Sequence, residues 1–194
     1  MQEIVLKAPL KEEDTRALNV GDVVYIDGTV FTARDMAHLT IRKLLEAGKP
    51  LPVDFTGSVV FHAGPVVKKT GSGWDMIVIG PTTSIRMEPY AEMVGKLGVK
   101  AIIGKGGMQE GTSQANQKYG AVYLQAAPGC AAILAAGIER IDGVHWLELG
   151  VPEAMWVLQA KKFGPLVVGM DSKGSSIYRD LREKAYRRIK ELYG

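Results

Sequence analysis

Short apolar runs rich in β-branched residues open the chain and predict strands at 3–8, 23–26 and 29–32. Asp27-Gly28 lies between the last two runs, and this dipeptide between β-branched segments predicts a two-residue hairpin turn. Residues 34–47 then show helical spacing of apolar positions, and Gly48 marks the end of that helix. The beginning of the chain is therefore predicted to contain a hairpin followed by a helix.

Strand and helix patterns alternate from residue 58 onward. Further strands are predicted at 58–62, 76–79, 99–103, 121–125, 144–149, 156–159 and 166–170. Further helices are predicted at 84–97, 111–119, 130–136 and 176–192. The apolar stripe of the last helix is expected to face inward and consists of Ile177, Leu181, Ala185, Ile189 and Leu192. Hairpins followed by strand–helix–strand units predict one mixed-sheet α/β domain over residues 1–194.

Length, charge and cysteine content exclude several classes of protein. Cys130 is the single cysteine among 194 residues, so neither a disulfide framework nor a self-contained iron–sulfur or cysteine-rich zinc site can form. The net charge of +3 is too small to indicate nucleic acid binding. No apolar run is long enough to span a membrane, and the first residues lack a signal-peptide core. We therefore expect a cytoplasmic protein without a nucleic acid or membrane partner.

The segment around residues 80–86 carries the most informative candidate chemistry. A predicted strand ends in Gly-Pro, and Thr82 and Thr83 stand where a helix begins. The unpaired N–H groups and positive dipole end of a helix start suit a carboxylate or a phosphate. Arg86, in the first turn, can add a bidentate contact. Plain N-capping by Thr82, Thr83 or Ser84 is the alternative interpretation.

Two further strand-to-helix junctions carry cations. Lys105 lies in a Gly-Lys-Gly-Gly turn without Walker spacing, and Arg34 precedes a helix in which His38 is a base, a ligand or a structural residue. Loops after the carboxyl ends of parallel strands converge on one crevice. The pattern therefore predicts a pocket for a small dianion, either a dicarboxylate or a phosphate, formed by Arg34, Thr82, Thr83, Arg86 and Lys105.

At these residues the sequence resembles the β subunit, or C-terminal domain, of the class I iron–sulfur hydro-lyases, fumarate hydratase and L-tartrate dehydratase. The matching pieces are Thr-Ala-Arg-Asp-Met-Ala-His, Phe-His-Ala-Gly-Pro, Gly-Pro-Thr-Thr-Ser-Ile-Arg-Met and the Lys-Gly-Gly loop. The resemblance covers nearly the whole chain in order. Departures are Ser84-Ile85, where the family often has Ala-Gly, and Lys-Gly-Gly in place of Lys-Gly-Asn.

The resemblance implies a swivelling α/β domain with a mixed sheet and a barrel-like β part flanked by helices. It also implies a partner α subunit in an α2β2 heterotetramer, whose cysteines hold a [4Fe-4S] cluster, so that this chain supplies no metal ligand. By position, Thr82 matches the family's proposed catalytic base. Residues that match those holding the substrate carboxylates are Arg34, Thr83, Arg86 and Lys105.

The function implied by the resemblance is that of a class I fumarate hydratase β subunit, active only with its α subunit. Its reaction, an interconversion of the tricarboxylic acid cycle, hydrates fumarate reversibly to (S)-malate. The β subunit of L-tartrate dehydratase is the nearest alternative. A stand-alone dicarboxylate- or phosphate-binding module without catalysis is an alternative of another class.

Overall fold

The computed structural model describes residues 3–71 and 73–193, so residues 1, 2, 72 and 194 of the predicted domain lie outside the described part. The strands are β1 (Ile4–Lys7), β2 (Val23–Thr32), β3 (Val59–Phe61), β4 (Ala63–Lys69), β5 (Trp74–Pro81), β6 (Ala101–Gly104), β7 (Val122–Gln125), β8 (Ile138–His145) and β9 (Met155–Met170). The α-helices are α1 (Glu12–Arg16), α2 (Asp35–Glu46), α3 (Ala91–Lys96), α4 (Glu110–Tyr119), α5 (Ala131–Ala136) and α6 (Ile177–Tyr193). Short 3₁₀ helices cover Ser84–Tyr90 and Leu147–Leu149.

A closed five-stranded barrel forms the centre of the molecule. Strands β2, β3, β6 and β7 are parallel neighbours, and the long β9 pairs antiparallel with both β7 and β2, which closes the ring. Strand β1 extends the sheet beyond β2, and β8 pairs with β9. This architecture confirms the predicted α/β fold with a mixed sheet, a barrel-like β part and flanking helices.

Buried side chains on alternate positions of the parallel strands divide the core into two clusters. In β3, Val59 and Phe61 join one cluster with Val24, whereas Val60 joins the other with Ile41 of α2. Parallel strands covered on both faces need apolar residues at every position, because each pleat points one side chain to either side. The barrel strands therefore appear in the sequence as short continuous apolar runs.

The predicted hairpin at Asp27-Gly28 is wrong, because the chain passes straight through these residues as one strand. Gly28 has a φ of +99°, and a Cβ there would lie 2.7 Å from the carbonyl oxygen of Ala8. Asp27 accepts a hydrogen bond from the backbone N–H of Lys162 at 2.6 Å. Two residues of β9, Lys161 and Lys162, here oppose the single Asp27 of β2, so the dipeptide lies opposite a β-bulge, and local sequence does not distinguish this setting from a turn.

The same bulge explains why β9 was predicted as two strands. Lys161-Lys162 separates the apolar runs 156–159 and 166–170, but both lysines bond to Asp27 across the bulge.

The other differences between the predicted and the observed elements are local. Pro89 divides the helix predicted at 84–97 into a 3₁₀ helix and α3, and the predicted strand 144–149 ends at His145. Of the hairpin formed by β4 and β5, the sequence predicted only the second strand, at 76–79.

The prediction that α6 packs its apolar stripe inward is also wrong. Only its first turn is partly covered, and from residue 181 to 193 every side chain is exposed, with Leu181 at 62% and Ile189 at 53%. Helical periodicity identifies an amphipathic surface but does not say what covers it. None of the helices in the described ranges is long and apolar enough to cross a membrane.

Two isoleucines in helices test the exposure of α6. Ile189→Ala in α6 should lower the free energy of unfolding by less than about 0.5 kcal/mol, because its side chain is solvated. Ile41→Ala in α2, where the side chain is 2% exposed, is the matched control and should cost about 2–5 kcal/mol. Urea unfolding of both variants measures the difference, and equal losses would show that the stripe of α6 is packed in the folded chain.

Candidate active site

Residues 82–84 form a crossing segment, which pairs with the residues directly after the carboxyl ends of β3 and β6. The backbone N–H of Thr82 donates to the carbonyl of His62, directly after β3, at 2.7 Å. Lys105, directly after β6, donates its N–H to the carbonyl of Thr82 at 3.2 Å and accepts from the N–H of Ser84 at 3.0 Å. Thr83 and Lys105 thereby form a short parallel bridge. The structure thus brings the two most informative sequence segments side by side.

Arg86 reaches back from the 3₁₀ helix to this crossing segment. Its Nη2 donates to the hydroxyl oxygen of Thr82 at 2.9 Å and forms an ion pair with Asp35, in the first turn of α2, at 3.0 Å. A guanidinium N–H on a hydroxyl oxygen favours the alkoxide over the neutral hydroxyl. Arg86 and Asp35 remain about two-fifths exposed, so their ion pair can exchange with a ligand carboxylate at low cost.

Arg34 stands at the N-cap of α2, after the carboxyl end of β2. Its guanidinium pairs with Glu153 at 3.0 Å, and the other carboxylate oxygen of Glu153 accepts the backbone N–H of Met36 at 3.0 Å. The Nε of Arg34 is buried, and no hydrogen-bond partner for it occurs in the described part of the chain. Arg34 therefore lies at the same end of the barrel as Arg86, and one of its donors is unsatisfied. We call this end the rim, which consists of Arg34, Asp35, residues 82–86, Lys105 and Glu153.

Lys105 supplies a third cation to the rim. It is half-buried, and none of the salt bridges within residues 3–71 and 73–193 involves it. The loop that follows needs glycine, because Gly107 has a φ of +78° and a Cβ there would lie 2.4 Å from the ring of Tyr178. The ammonium group thus stands on a turn whose backbone is tightly constrained by the start of α6.

The rim carries three cations and two carboxylates. Arg34, Arg86 and Lys105 are opposed by Glu153 and Asp35, each of which holds one arginine in place. A ligand with two carboxylates offers charge-assisted acceptors to these guanidinium groups and to the ammonium group of Lys105. The arrangement can therefore bind a small dianion and stabilise negative charge that develops on it during a reaction.

Two histidines lie beneath the rim and are not free to act as bases there. His38 stacks on Tyr90 with ring centroids 5.3 Å apart, and its Nδ1 lies 2.9 Å from the carbonyl oxygen of Arg34. Burial lowers the pKa of His38 to about 4 and that of His62 well below its ordinary value of 6.5. The structural interpretation of His38 fits this environment better than a role as base or ligand.

The sequence did not reveal three groups that hold the site together. Glu153 lies in a turn far along the chain, and nothing in its local pattern connects it to Arg34. Ser84 was considered only as a cap, yet its hydroxyl is fully buried and accepts from Tyr123 at 3.0 Å. Tyr123 looked like an ordinary strand residue. Tyr123 in an apolar strand and Ser84 at a helix start both carry hydroxyls, and buried hydroxyls need hydrogen-bond partners. This is the one signal in the sequence that could have suggested their contact.

The residues of this chain do not fit an iron–sulfur cluster. Cys130 is the single thiol, and the described residues contain no group of three or more His, Cys, Asp or Glu side chains that could hold a metal ion. A cluster of this type requires several thiolates at one point. The chemistry available from this chain is therefore that of its cations, hydroxyls and backbone donors.

Comparison with known proteins identifies relatives over almost the whole chain. The family model described as "Fumarase C-terminus" matches residues 1–181. The chain is 47% identical over 187 residues to "Putative L(+)-tartrate dehydratase subunit beta" of Methanocaldococcus jannaschii, covering 95% of this chain and 96% of that protein. It is 45% identical over 174 residues to "L(+)-tartrate dehydratase subunit beta" of Escherichia coli K12, covering 89% and 85%. It is 44% identical over 191 residues to "Putative fumarate hydratase class I" of Geobacillus stearothermophilus, covering 97% of this chain and 36% of that protein.

Two neutral buried histidines should make the folded chain sensitive to mild acid. Because the pKa values of His38 and His62 lie below 6.5 in the folded chain, the unfolded chain binds more protons below that pH. The free energy of unfolding should therefore fall as the pH drops below 6.5, by about 1.4 kcal/mol per pH unit for each histidine. Urea unfolding between about pH 5 and pH 7 measures this slope.

His38→Phe is the control, because phenylalanine keeps the ring stacked on Tyr90 and removes one titrating group. It should remove about half of the slope in this range. An unfolding free energy that stays constant across the range would contradict the burial of two neutral imidazoles.

Proposed function

The chain belongs to the fumarase C-terminus family, and we propose that it is the β subunit of a two-subunit hydro-lyase that reversibly hydrates fumarate to (S)-malate. The proposal rests on the geometry at residues 82–84. Arg86 contacts the hydroxyl of Thr82, and backbone hydrogen bonds to Thr82 and Ser84 fix Lys105 beside it. A β subunit implies an α subunit, and a dicarboxylate is the ligand that this set of cations suits.

Hydration of a double bond between two carboxylates passes through a carbanion-like state. Negative charge then grows on one carboxylate, so a cation fixed beside it binds the transition state more tightly than the ground state. We assign this role to Arg86, Lys105 and Arg34, with the hydroxyl of Thr83 as a further carboxylate contact. Asp35 and Glu153 keep the two arginines oriented for the substrate.

Thr82 is the proposed catalytic base. A threonine hydroxyl is a very poor base unless its alkoxide is favoured by neighbouring cations. The hydrogen bond from Arg86 to the hydroxyl oxygen of Thr82, at 2.9 Å, is a contact of that kind. In the direction from malate to fumarate, Thr82 would take the proton from the carbon next to the carboxylate that Arg86 and Lys105 hold.

The α subunit completes the site in this proposal. We assign the [4Fe-4S] cluster to it, because several thiolates are needed and this chain has one. Such a cluster would supply a Lewis acid for the substrate hydroxyl. The assembly expected is an α2β2 heterotetramer in the cytoplasm, and residues 1–194 are expected to act in it as one domain.

L-Tartrate dehydratase is the second candidate. The relatives that match this chain over 85% and 96% of their own length are named as tartrate dehydratase β subunits. Tartrate has the same two carboxylates as malate and one more hydroxyl, so the same cations can hold both acids. A choice between the two requires contacts to that second hydroxyl.

Purification with the α subunit tests the proposal. The tagged chain should retain an iron–sulfur protein, and the anaerobic complex should hydrate fumarate. Dehydration of L-tartrate without hydration of fumarate would instead support the second candidate. Within that assay, Thr82→Ala should lower kcat by about 10²-fold or more, whereas Thr82→Ser keeps the hydroxyl and should retain most of the activity.

Near-normal turnover by Thr82→Ala would remove the assignment of the base but leave the carboxylate contacts. Specific binding of phosphate or a dicarboxylate by the chain alone, with no partner retained and no turnover, would instead support the non-catalytic binding module.

A further inference from the structure

A buried line of hydrogen bonds lies directly beneath the rim. The hydroxyl of Tyr123, in β7, donates to the Oγ of Ser84 at 3.0 Å, and this Oγ lies 3.0 Å from the Nδ1 of His62. Tyr123 and Ser84 are fully buried, and His62 is 1% exposed. The line joins the carboxyl end of β3 to β7 through the crossing segment 82–84, and none of the roles proposed above uses it.

One serine hydroxyl links the other two side chains. Ser84 accepts from Tyr123 and can donate its own hydrogen to the Nδ1 of His62, in which case the neutral imidazole carries its proton on Nε2. Burial favours the neutral imidazole by lowering the pKa of His62, and the positive charge of nearby Arg86 acts in the same direction.

The same three residues hold the backbone of the proposed site. Ser84 is bonded through its N–H to Lys105 and through its side chain to His62 and Tyr123, so one residue connects the carboxyl ends of β3 and β6 to β7. Gly104 leaves no spare room at this junction, because a Cβ there would lie 1.8 Å from the Oγ of Ser84. A shift of Ser84 would therefore move Thr82 and Lys105 with it.

We propose that His62, Ser84 and Tyr123 are positioning residues, whose side-chain hydrogen bonds hold Thr82 and Lys105 in the geometry that the transition state requires. This inference rests on the proposed function. Loss of the line should act mainly on kcat, because the interactions it aligns strengthen as charge develops on the substrate. A displacement near 1 Å at such a site can cost about 10²-fold in rate.

Steady-state kinetics of the αβ complex test this inference with matched variants. Ser84→Ala should lower kcat by about 10²-fold, and Tyr123→Phe, which keeps the ring, by about 10-fold, with KM changed less than about 3-fold in both. Ser113→Ala is the control, because the Oγ of Ser113 is also buried but has no hydrogen-bond partner among the described residues. It should behave as the wild type.

Substitutions of His62 separate positioning from packing. His62→Asn places an amide near the former Nδ1 and should keep kcat within about 10-fold, whereas His62→Leu fills the space without a polar atom and should lose about 10²-fold. Wild-type kcat in Ser84→Ala and Tyr123→Phe would overturn the proposal. A loss that appears only as raised KM, or only as a smaller folded fraction, would also overturn it.

Hydrogen exchange in the same complexes gives a readout that does not depend on turnover. The amides of Thr82, Ser84 and Lys105 should exchange faster in Tyr123→Phe than in the wild type, and unchanged exchange would contradict the positioning role. A failure of the proposed function is seen separately, as a wild-type complex that turns over neither fumarate nor L-tartrate.

Discussion

The geometry of the rim depends on the backbone pairing of residues 82–84 with the ends of β3 and β6. Thr82 and Ser84 bond to His62 and Lys105, which stand at the carboxyl ends of adjacent parallel strands. Barrel closure by β9 fixes those ends relative to each other, because β9 pairs with both β2 and β7. The positions of the hydroxyls and of Lys105 are therefore properties of the barrel rather than of flexible loops.

Both arginines of the rim are paired with carboxylates of this chain. Each arginine is held by one carboxylate, Arg34 by Glu153 and Arg86 by Asp35. The Arg86–Asp35 pair is about two-fifths exposed and contributes little to stability, so Arg86 can contact a substrate carboxylate at small cost. The Arg34–Glu153 pair is only 24% and 20% exposed and is held more firmly. The benefit of both pairs is orientation, because an arginine already in place loses less side-chain freedom when the substrate binds.

The sequence predicted the parts of the fold that depend on local patterns, and it failed where distant residues decide. Continuous apolar runs located the parallel strands, because strands buried on both faces have that pattern. The bulge at Asp27 was predicted as a turn, since only the pairing with Lys162 distinguishes the two. The stripe on α6 was predicted to be buried, since periodicity does not reveal whether another element covers it.

The site shows the same division. Arg34, Thr82, Thr83, Arg86 and Lys105 were selected because they follow strand ends, and the structure places all five on one rim of the barrel, with contacts joining Thr82 to Arg86 and Thr83 to Lys105. Glu153 and Tyr123 were not selected, because their partners lie more than 30 residues away in the chain. Long-range pairing of this kind leaves no trace in local spacing.

A crystal structure of the αβ complex with bound malate or L-tartrate tests most directly whether this rim holds the substrate. We expect substrate carboxylates within about 3 Å of donors on Arg34, Arg86 and Lys105, with the hydroxyl of Thr82 facing the reacting carbon. A substrate held by the α subunit alone, or bound elsewhere on this chain, would contradict this role of the rim.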